Sequence, residues 1–478
     1  MSEPRRLHPV AAVISFLKSL KEAILPLVLI LFFGGNDSGF GIWQVAVFTV
    51  FILFSLISGI LSWFRFTYRV EDGELRIESG LFVKKKRYIP FERIQSLDFS
   101  EGLLQRPFEL VKVKIETAGS SSPTEAEAVL TAIKKSDALA IQEILTSIKY
   151  HEKSEVNEAD PHEQEVVYKM TPAQLILLAS TSGGAGVVIS GAIAFILQFD
   201  ELIPYDFLVK EFQGLIANGI LFISILVFLV LLFAWVIAIV GTILKYAGYT
   251  VVKKEDDLII SRGLLEKRQL TVPLNRIQGI MVSENMVRQP FGLCSVYLES
   301  AGGSLEKDAL SKTLLLPIIK KREVEDLLTP LLSDYQFAPK MVRAPKRALR
   351  RYLLRGMIIP IIIILVSLIF FRPWGYLSLL LLPLSAFWAY LKHKDAGWNL
   401  NEQQLTLTYR RIDKNTIFMR KNKIQSLSMW NSYFQDKQSL ASIEASIVSG
   451  IGGSGGTVID LEAKDVKEIY NWYQYKSE

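Results

Sequence analysis

The chain has 478 residues, half of them hydrophobic, with 21% charged and a formal net charge of +6. Apolar residues gathered into long runs point to membrane segments, because a soluble core would spread them more evenly. A single cysteine, Cys294, excludes an intrachain disulfide framework, and His8, His151, His162 and His393 lie too far apart for a metal site.

Residues 18–34 and 42–64 are apolar, the second run without any charge, and predict a membrane hairpin within residues 1–67. Spanning the hydrocarbon takes about 20 helical residues. Residues 68–150 read as a soluble module. Residues 68–71, the Asp72-Gly73 turn and residues 74–78 form a hairpin, since Asp-Gly supplies positive φ and Leu75 and Ile77 alternate with charged neighbours. Strands are expected at 81–89, 94–99, 110–117 and 126–133. Ala140, Ile141, Ile144, Leu145 and Ile148 fall at helical spacing and predict a helix over 137–148.

An acidic linker, 151–169, leads to a second hairpin in residues 170–247, with spans at 173–199 and 215–244. Ser182, Gly186, Ser190 and Ala194 recur every fourth residue there, which either packs helices closely or reflects how common small residues are in membrane spans. Residues 248–337 repeat the module, with strands at 277–282, 295–300 and 314–318 and a helix at 323–332. A basic linker, 338–351, precedes the third hairpin, 352–394, with spans at 352–371 and 374–391. Residues 395–478 form a third module, closed by a helix at 465–473. Within it, residues 450–456 contain a literal Gly-x-Gly-x-x-Gly. A strand follows where a dinucleotide site needs a helix, so the segment reads as a loop between strands.

These six candidate spans have lysine and arginine concentrated on alternate flanks, which predicts that both termini and all three modules face the cytoplasm. The spans carry no charge near their centres, which argues against ion-coupled transport.

One short word recurs in each module: Arg93-Ile94-Gln95, Arg276-Ile277-Gln278 and Lys423-Ile424-Gln425. Pro90, Pro273 and Arg420 sit three residues before it, with Gly80, Gly263 and Arg410 ten residues earlier still. Pro107, Pro290 and Lys437 sit seventeen residues after the first set. Glycine and proline at fixed distances are backbone requirements, so the word reads as a fold signature in preference to a binding surface. Lys84, Lys85, Lys86 and Arg87, and Arg343, Lys346, Arg347, Arg350 and Arg351 beside the third hairpin, are candidate contacts for anionic lipid, at about 1 kcal/mol each. A solvated strand-turn face is the favoured reading of the first group; the second is the stronger lipid candidate, though setting orientation accounts for much of it.

A hydrophobic helical pair followed by Gly80-Leu81-Phe82, Ile89-Pro90, Arg93-Ile94-Gln95-Ser96-Leu97 and Arg106-Pro107-Phe108 resembles the bacterial pleckstrin-homology (PH)-like membrane domain family. The second copy matches through Gly263-Leu264-Leu265, Val272-Pro273, Arg276-Ile277-Gln278 and Gln289-Pro290-Phe291. The resemblance covers nearly the whole chain. It implies three curved barrels, each capped by a C-terminal helix, a smaller one-copy relative as partner, and envelope defence against membrane-active peptides as the process. The third copy departs from it at Arg410, Arg420 and Lys437-Gln438.

There is no P-loop, nucleophile elbow, HExxH motif or nucleophile–base constellation. The expected function is therefore non-enzymatic assembly of membrane proteins, without cofactor, metal or nucleic acid. A lipid- or peptide-moving component and an anionic-lipid sensor are the alternatives.

Overall fold

The computed structural model describes residues 3–33, 42–80, 83–117, 128–151, 165–183, 220–300, 312–371, 374–448 and 454–474. In the first repeat a short strand, β1 (Arg5–Arg6), precedes the helices α1 (Val10–Phe33) and α2 (Ile42–Arg65). There follow β2 (Thr67–Glu71), β3 (Glu74–Ser79), β4 (Lys85–Pro90), β5 (Ile94–Glu101), β6 (Leu110–Thr117), β7 (Ala128–Lys134) and α3 (Lys135–His151). The β2–β3 turn takes the expected form, with Asp72 and Gly73 at φ 53° and 73°. Alternate residues of both strands are buried. Leu75, Ile89, Ile94, Val113, Ile115, Leu130 and Ile141 meet in one core between the strands and α3. Full burial of each such side chain contributes about 1.5–3 kcal/mol.

The second repeat contains β8 (Glu165–Lys169), α4 (Pro172–Thr181), α5 (Ile220–Tyr246), β9 (Thr250–Lys254), β10 (Asp257–Arg262), β11 (Lys267–Pro273), β12 (Ile277–Glu284), β13 (Leu293–Ser300), β14 (Lys312–Lys320) and α6 (Val324–Leu328). The third contains β15 (Val342–Arg343), α7 (Leu349–Phe370), α8 (Leu381–Asp395), β16 (Gly397–Asn401), β17 (Gln404–Arg410), β18 (Lys414–Arg420), β19 (Ile424–Trp430), α9 (Tyr433–Asp436), β20 (Leu440–Ile447), β21 (Ser454–Glu462) and α10 (Ala463–Tyr473). Its core gathers Leu405, Leu407, Ile417, Ile443, Leu461 and Ile469 with Ala348, Tyr352 and Ala389 of the helical hairpin.

The expected barrels are corrected by the strand order. The described strands form four open sheets: β1-β2-β3-β4, β7-β6-β5-β11-β10-β9-β8, β14-β13-β12-β18-β17-β16-β15 and β19-β20-β21. The second half of one repeat thus joins the first half of the next in a single seven-stranded sheet. The physical reason is the strand edge. A three-stranded half-module leaves a row of N–H and C=O groups unpaired, and a neighbouring repeat supplies the partner strand. In each repeat a strand before the apolar helices pairs with the first strand after them, as β1 does with β2, β8 with β9 and β15 with β16.

The chain divides into two compact units that cut across the repeats, Met1–Met170 with Gly241–Val272, and Thr171–Val240 with Pro273–Glu478. Among the described residues, three helices are long and apolar enough to cross a membrane: Val227–Tyr246, Lys346–Phe370 and Gly375–Asp395. Most of the expected span at 173–199, the loop after it and the stripe from Gly186 onward lie outside the described residues.

Several boundaries shift for local reasons. The helix expected at 323–332 stops at Leu328, two residues before Pro330, which has no N–H to continue it. The acidic linker ends in β8. Gly455 and Gly456, expected in a loop, lie inside β21, where a Cβ at Gly455 would come within 2.0 Å of the Ala445 carbonyl oxygen. Gly455 lets neighbouring backbone approach, and Gly456 makes room for the side chains of Tyr409 and Ile417.

Candidate functional site at the repeat junctions

The recurring word sits where one half-sheet hands over to the next. Ile94, Ile277 and Ile424 are all buried, so the central residue of each copy is core. Each follows a 3-10 turn that starts from an extended residue, with φ of −60°, −65° and −82° at Pro90, Pro273 and Arg420. Proline is preset for that angle, and arginine reaches it without strain. Arg420 uses its side chain on Asp334 instead. Gln278 donates to the Arg276 carbonyl at 3.0 Å. Pro107 and Pro290 lie in turns that end on the left-handed residues Glu109 and Gly292. The third copy lacks that proline but reaches the same point through α9, capped by Ser432, and left-handed Ser439. The substitutions at Arg420 and Lys437 therefore have not cost the third repeat its backbone course at those two points.

Glycine and arginine solve one problem in two ways. Gly80 and Gly263 have φ of 118° and 105°, and a Cβ there would lie 1.9 and 2.0 Å from the carbonyl oxygens of Val83 and Glu266. The turn at Gly263 docks on the end of α5: its N–H donates to the Ala247 carbonyl at 2.8 Å, and that of Leu264 to the Leu244 carbonyl at 3.0 Å. These bonds satisfy carbonyls that a helix end leaves open. In the third repeat β17 runs straight on, and Arg410 donates through Nε to Asp395, the last residue of α8, at 2.5 Å. A side-chain ion pair thus ties the strand to the helix end in place of a backbone turn.

That pair belongs to a largely buried cluster whose outer member, Lys321, is half-exposed. Lys414 lies 3.2 Å from Glu284 and 3.9 Å from Asp395, and Lys321 lies 2.8 Å from Glu284. Arg410 also donates to Gln289. Burial pushes the Glu284 carboxyl up, but the Lys321 hydrogen bond and the Lys414 charge overcome it and hold the group below the usual range. Burial pulls Lys414 below the ordinary lysine value. Glu299, fully buried, is pushed up by burial against Lys312 at 3.3 Å and Ser454 at 2.7 Å.

The basic linker is largely committed to protein contacts. Arg347 pairs with Glu462 and donates to the Gln438 carbonyl. Arg351 and Arg355 both reach Asp460, at 2.9 and 3.1 Å, and Gln435 donates to the same carboxylate at 2.8 Å. Arg343 donates to the Lys394 carbonyl at 2.5 Å. Lys346 and Arg350 are exposed. Lys84, Lys85, Lys86 and Arg87 form an exposed face at the start of β4, and Glu78 lies 2.6 Å from Lys84 and 3.7 Å from Lys86.

The two joined edges share one register. Lys267, Arg268 and Gln269 of β11 face Glu101, Ser100 and Phe99 of β5. Lys414, Asn415 and Thr416 of β18 face Glu284, Ser283 and Val282 of β12. Counted from the recurring word, these are equivalent residues in both junctions, and each opens with a lysine opposite a glutamate. Every residue of β12 is buried between its two neighbours.

A cavity of about 780 Å³ adjoins the second junction, lined among others by Phe337, Phe418, Lys320, Lys321, Arg343 and Lys414. Its lysines are engaged: Lys320 lies 3.4 Å from Glu323, while Lys321 and Lys414 serve Glu284. Cys294 is fully buried, and burial pushes its thiol up to about 12. No group of three or more metal-ligating side chains occurs among the described residues.

Asp395, Asp460 and Glu284 did not stand out in the sequence. The available signal was a lone acid closing the basic run Lys392-His393-Lys394, matched by an arginine where two other copies have glycine.

Apolar helices carrying half-sheets that join strand to strand define a membrane protein built from repeated PH-like modules. The chain belongs to the bacterial PH domain family, whose model matches residues 19–149, 204–334 and 357–477. It is 40% identical to the UPF0699 transmembrane protein YdbT of Bacillus subtilis (strain 168), over 100% of this chain and 99% of that protein. A second relative, the UPF0699 transmembrane protein YdbS of the same organism, is 40% identical over 53 residues, which cover 11% of this chain and 33% of YdbS. No solved structure matches.

Proposed function

We propose that this chain is a non-enzymatic membrane scaffold with six spans and three cytoplasmic modules, which uses PH-like half-sheets as joints and works in a complex with a small, one-module relative of the YdbS type. The observation that carries the reading is the repeated junction, in which β5 with β11 and β12 with β18 pair in the same register. An interface used twice within one chain is a coupling device. Main-chain hydrogen bonds supply its affinity and the flanking side chains its register. The distribution of lysine and arginine supports the cytoplasmic placement of the modules.

Purification of the tagged full chain from native membranes in mild detergent is expected to bring the small relative with it in fixed ratio. A chain that runs alone at every detergent condition would remove the complex. A C-terminal tag degraded by protease added to intact cells would overturn the orientation.

A further inference from the structure

Two of the terminal edges among the described strands are each one half of the junction already described. β4 ends the first sheet with only β3 beside it, and β19 ends the last with only β20 beside it. β4 corresponds to β11 and β18, whereas β19 corresponds to β5 and β12. The difference in cover is plain: every residue of β12 is buried, but five of the seven in β19 are exposed. On β4 the side chains from Lys85 to Tyr88 are all exposed.

Charge decides what could fill the first edge. At both internal junctions the lysine six residues before the Pro90-type position (Lys267, Lys414) faces the glutamate eight residues after the start of the recurring word (Glu101, Glu284). On the terminal edges the lysine persists as Lys84, but the glutamate is replaced by Asn431. The chain keeps the basic half of the junction and has lost the acidic half. A second copy would therefore offer an unmatched strand to β4.

We infer that the outer edge of β4 is the docking site for the post-signature strand of a one-module relative, added antiparallel with Lys84 opposite an acid of the partner. This rests on the reading that the chain works in a complex with such a relative. Docking would extend the four-stranded sheet as β5 extends β11, and would draw Lys84 from Glu78 to the incoming carboxylate.

The test is disulfide trapping in membranes with an added thiol oxidant, using full-length Lys86→Cys co-expressed with a one-module relative of the YdbS type that carries a single cysteine. By the internal register Lys86 faces the residue six after the start of the partner's word, as Gln269 faces Phe99 and Thr416 faces Val282. Cys294 is buried and stays out of the reaction. The expected result is a cross-linked pair with the cysteine at that position, lost when it moves one residue either way, because neighbours on a strand point to opposite faces. If the relative co-purifies with Lys86→Cys but no position in its strand cross-links, the edge assignment fails while the complex stands. Failure to co-purify at all removes both. A dimer trapped between Lys86→Cys and Met429→Cys on two copies of this chain would overturn the choice of occupant.

Discussion

Replacing Asp395 with alanine is expected to lower stability by roughly 3–5 kcal/mol, because it leaves a buried guanidinium without its carboxylate. The Arg410 side chain is 1% exposed and that of Asp395 6%, so water cannot take over the lost interaction. Lys414, 3.9 Å away, adds a second cation to the same deficit. The effect is read as a fall in the thermal midpoint of the purified protein in detergent. Substituting both partners by apolar residues of similar size, Asp395→Leu with Arg410→Met, is expected to recover much of the loss, since the guanidinium goes with its carboxylate and Lys414 keeps Glu284 at 3.2 Å. Glu323→Ala, at an exposed ion pair, serves as the control and is expected to leave the midpoint in place. An Asp395→Ala midpoint as high as that of the control would show that the pair does not hold the third module to its helix.

Gly263→Ala is the second large effect. The residue's φ of 105° is strained for any side chain, and the new Cβ would meet the Glu266 carbonyl oxygen at 2.0 Å, which only backbone movement can relieve. Strain and overpacking cost about 1–3 kcal/mol each, so a loss of roughly 2–6 kcal/mol is expected. Gly73→Ala provides the comparison. Its φ is 73°, but nothing lies within 4 Å of the added atom, so only the strain applies. Denaturant titration should rank Gly263→Ala well below Gly73→Ala. Equal losses would mean that the turn at Gly263 yields freely and does not depend on its seat at the end of α5.

The sequence disclosed what is local. Alternation of Leu75 and Ile77, the Asp72-Gly73 turn and the spacing of Ile141 and Ile144 all reflect backbone periodicity, and the corresponding strands and helix are present. The recurring word was legible as a structural signature because glycine and proline at fixed offsets constrain φ. The partner of each half-sheet was not legible. Pairing of β5 with β11 joins residues far apart in the chain, on either side of α4 and α5, and no periodicity encodes it. The buried acids escaped for a related reason. Asp460 reads as one more charge in a strand, and only the fold brings Arg351 and Arg355 to it. The basic linker illustrates the same limit, since its charge looked like a membrane-facing signal while Arg347 and Arg351 turn inward to the third module.

The shared sheets also bear on how the chain is made. β5 leaves the ribosome long before β11, with α4 and α5 still to be made between them. At about 5–20 residues per second, that edge stays open for on the order of ten seconds. β12 faces a similar delay before β18 is synthesised. An open strand edge invites mispairing with other nascent chains. Synthesis of the apolar helices between the paired strands is therefore a timing step for the preceding module, and a stall there would leave a finished half-sheet exposed upstream of it.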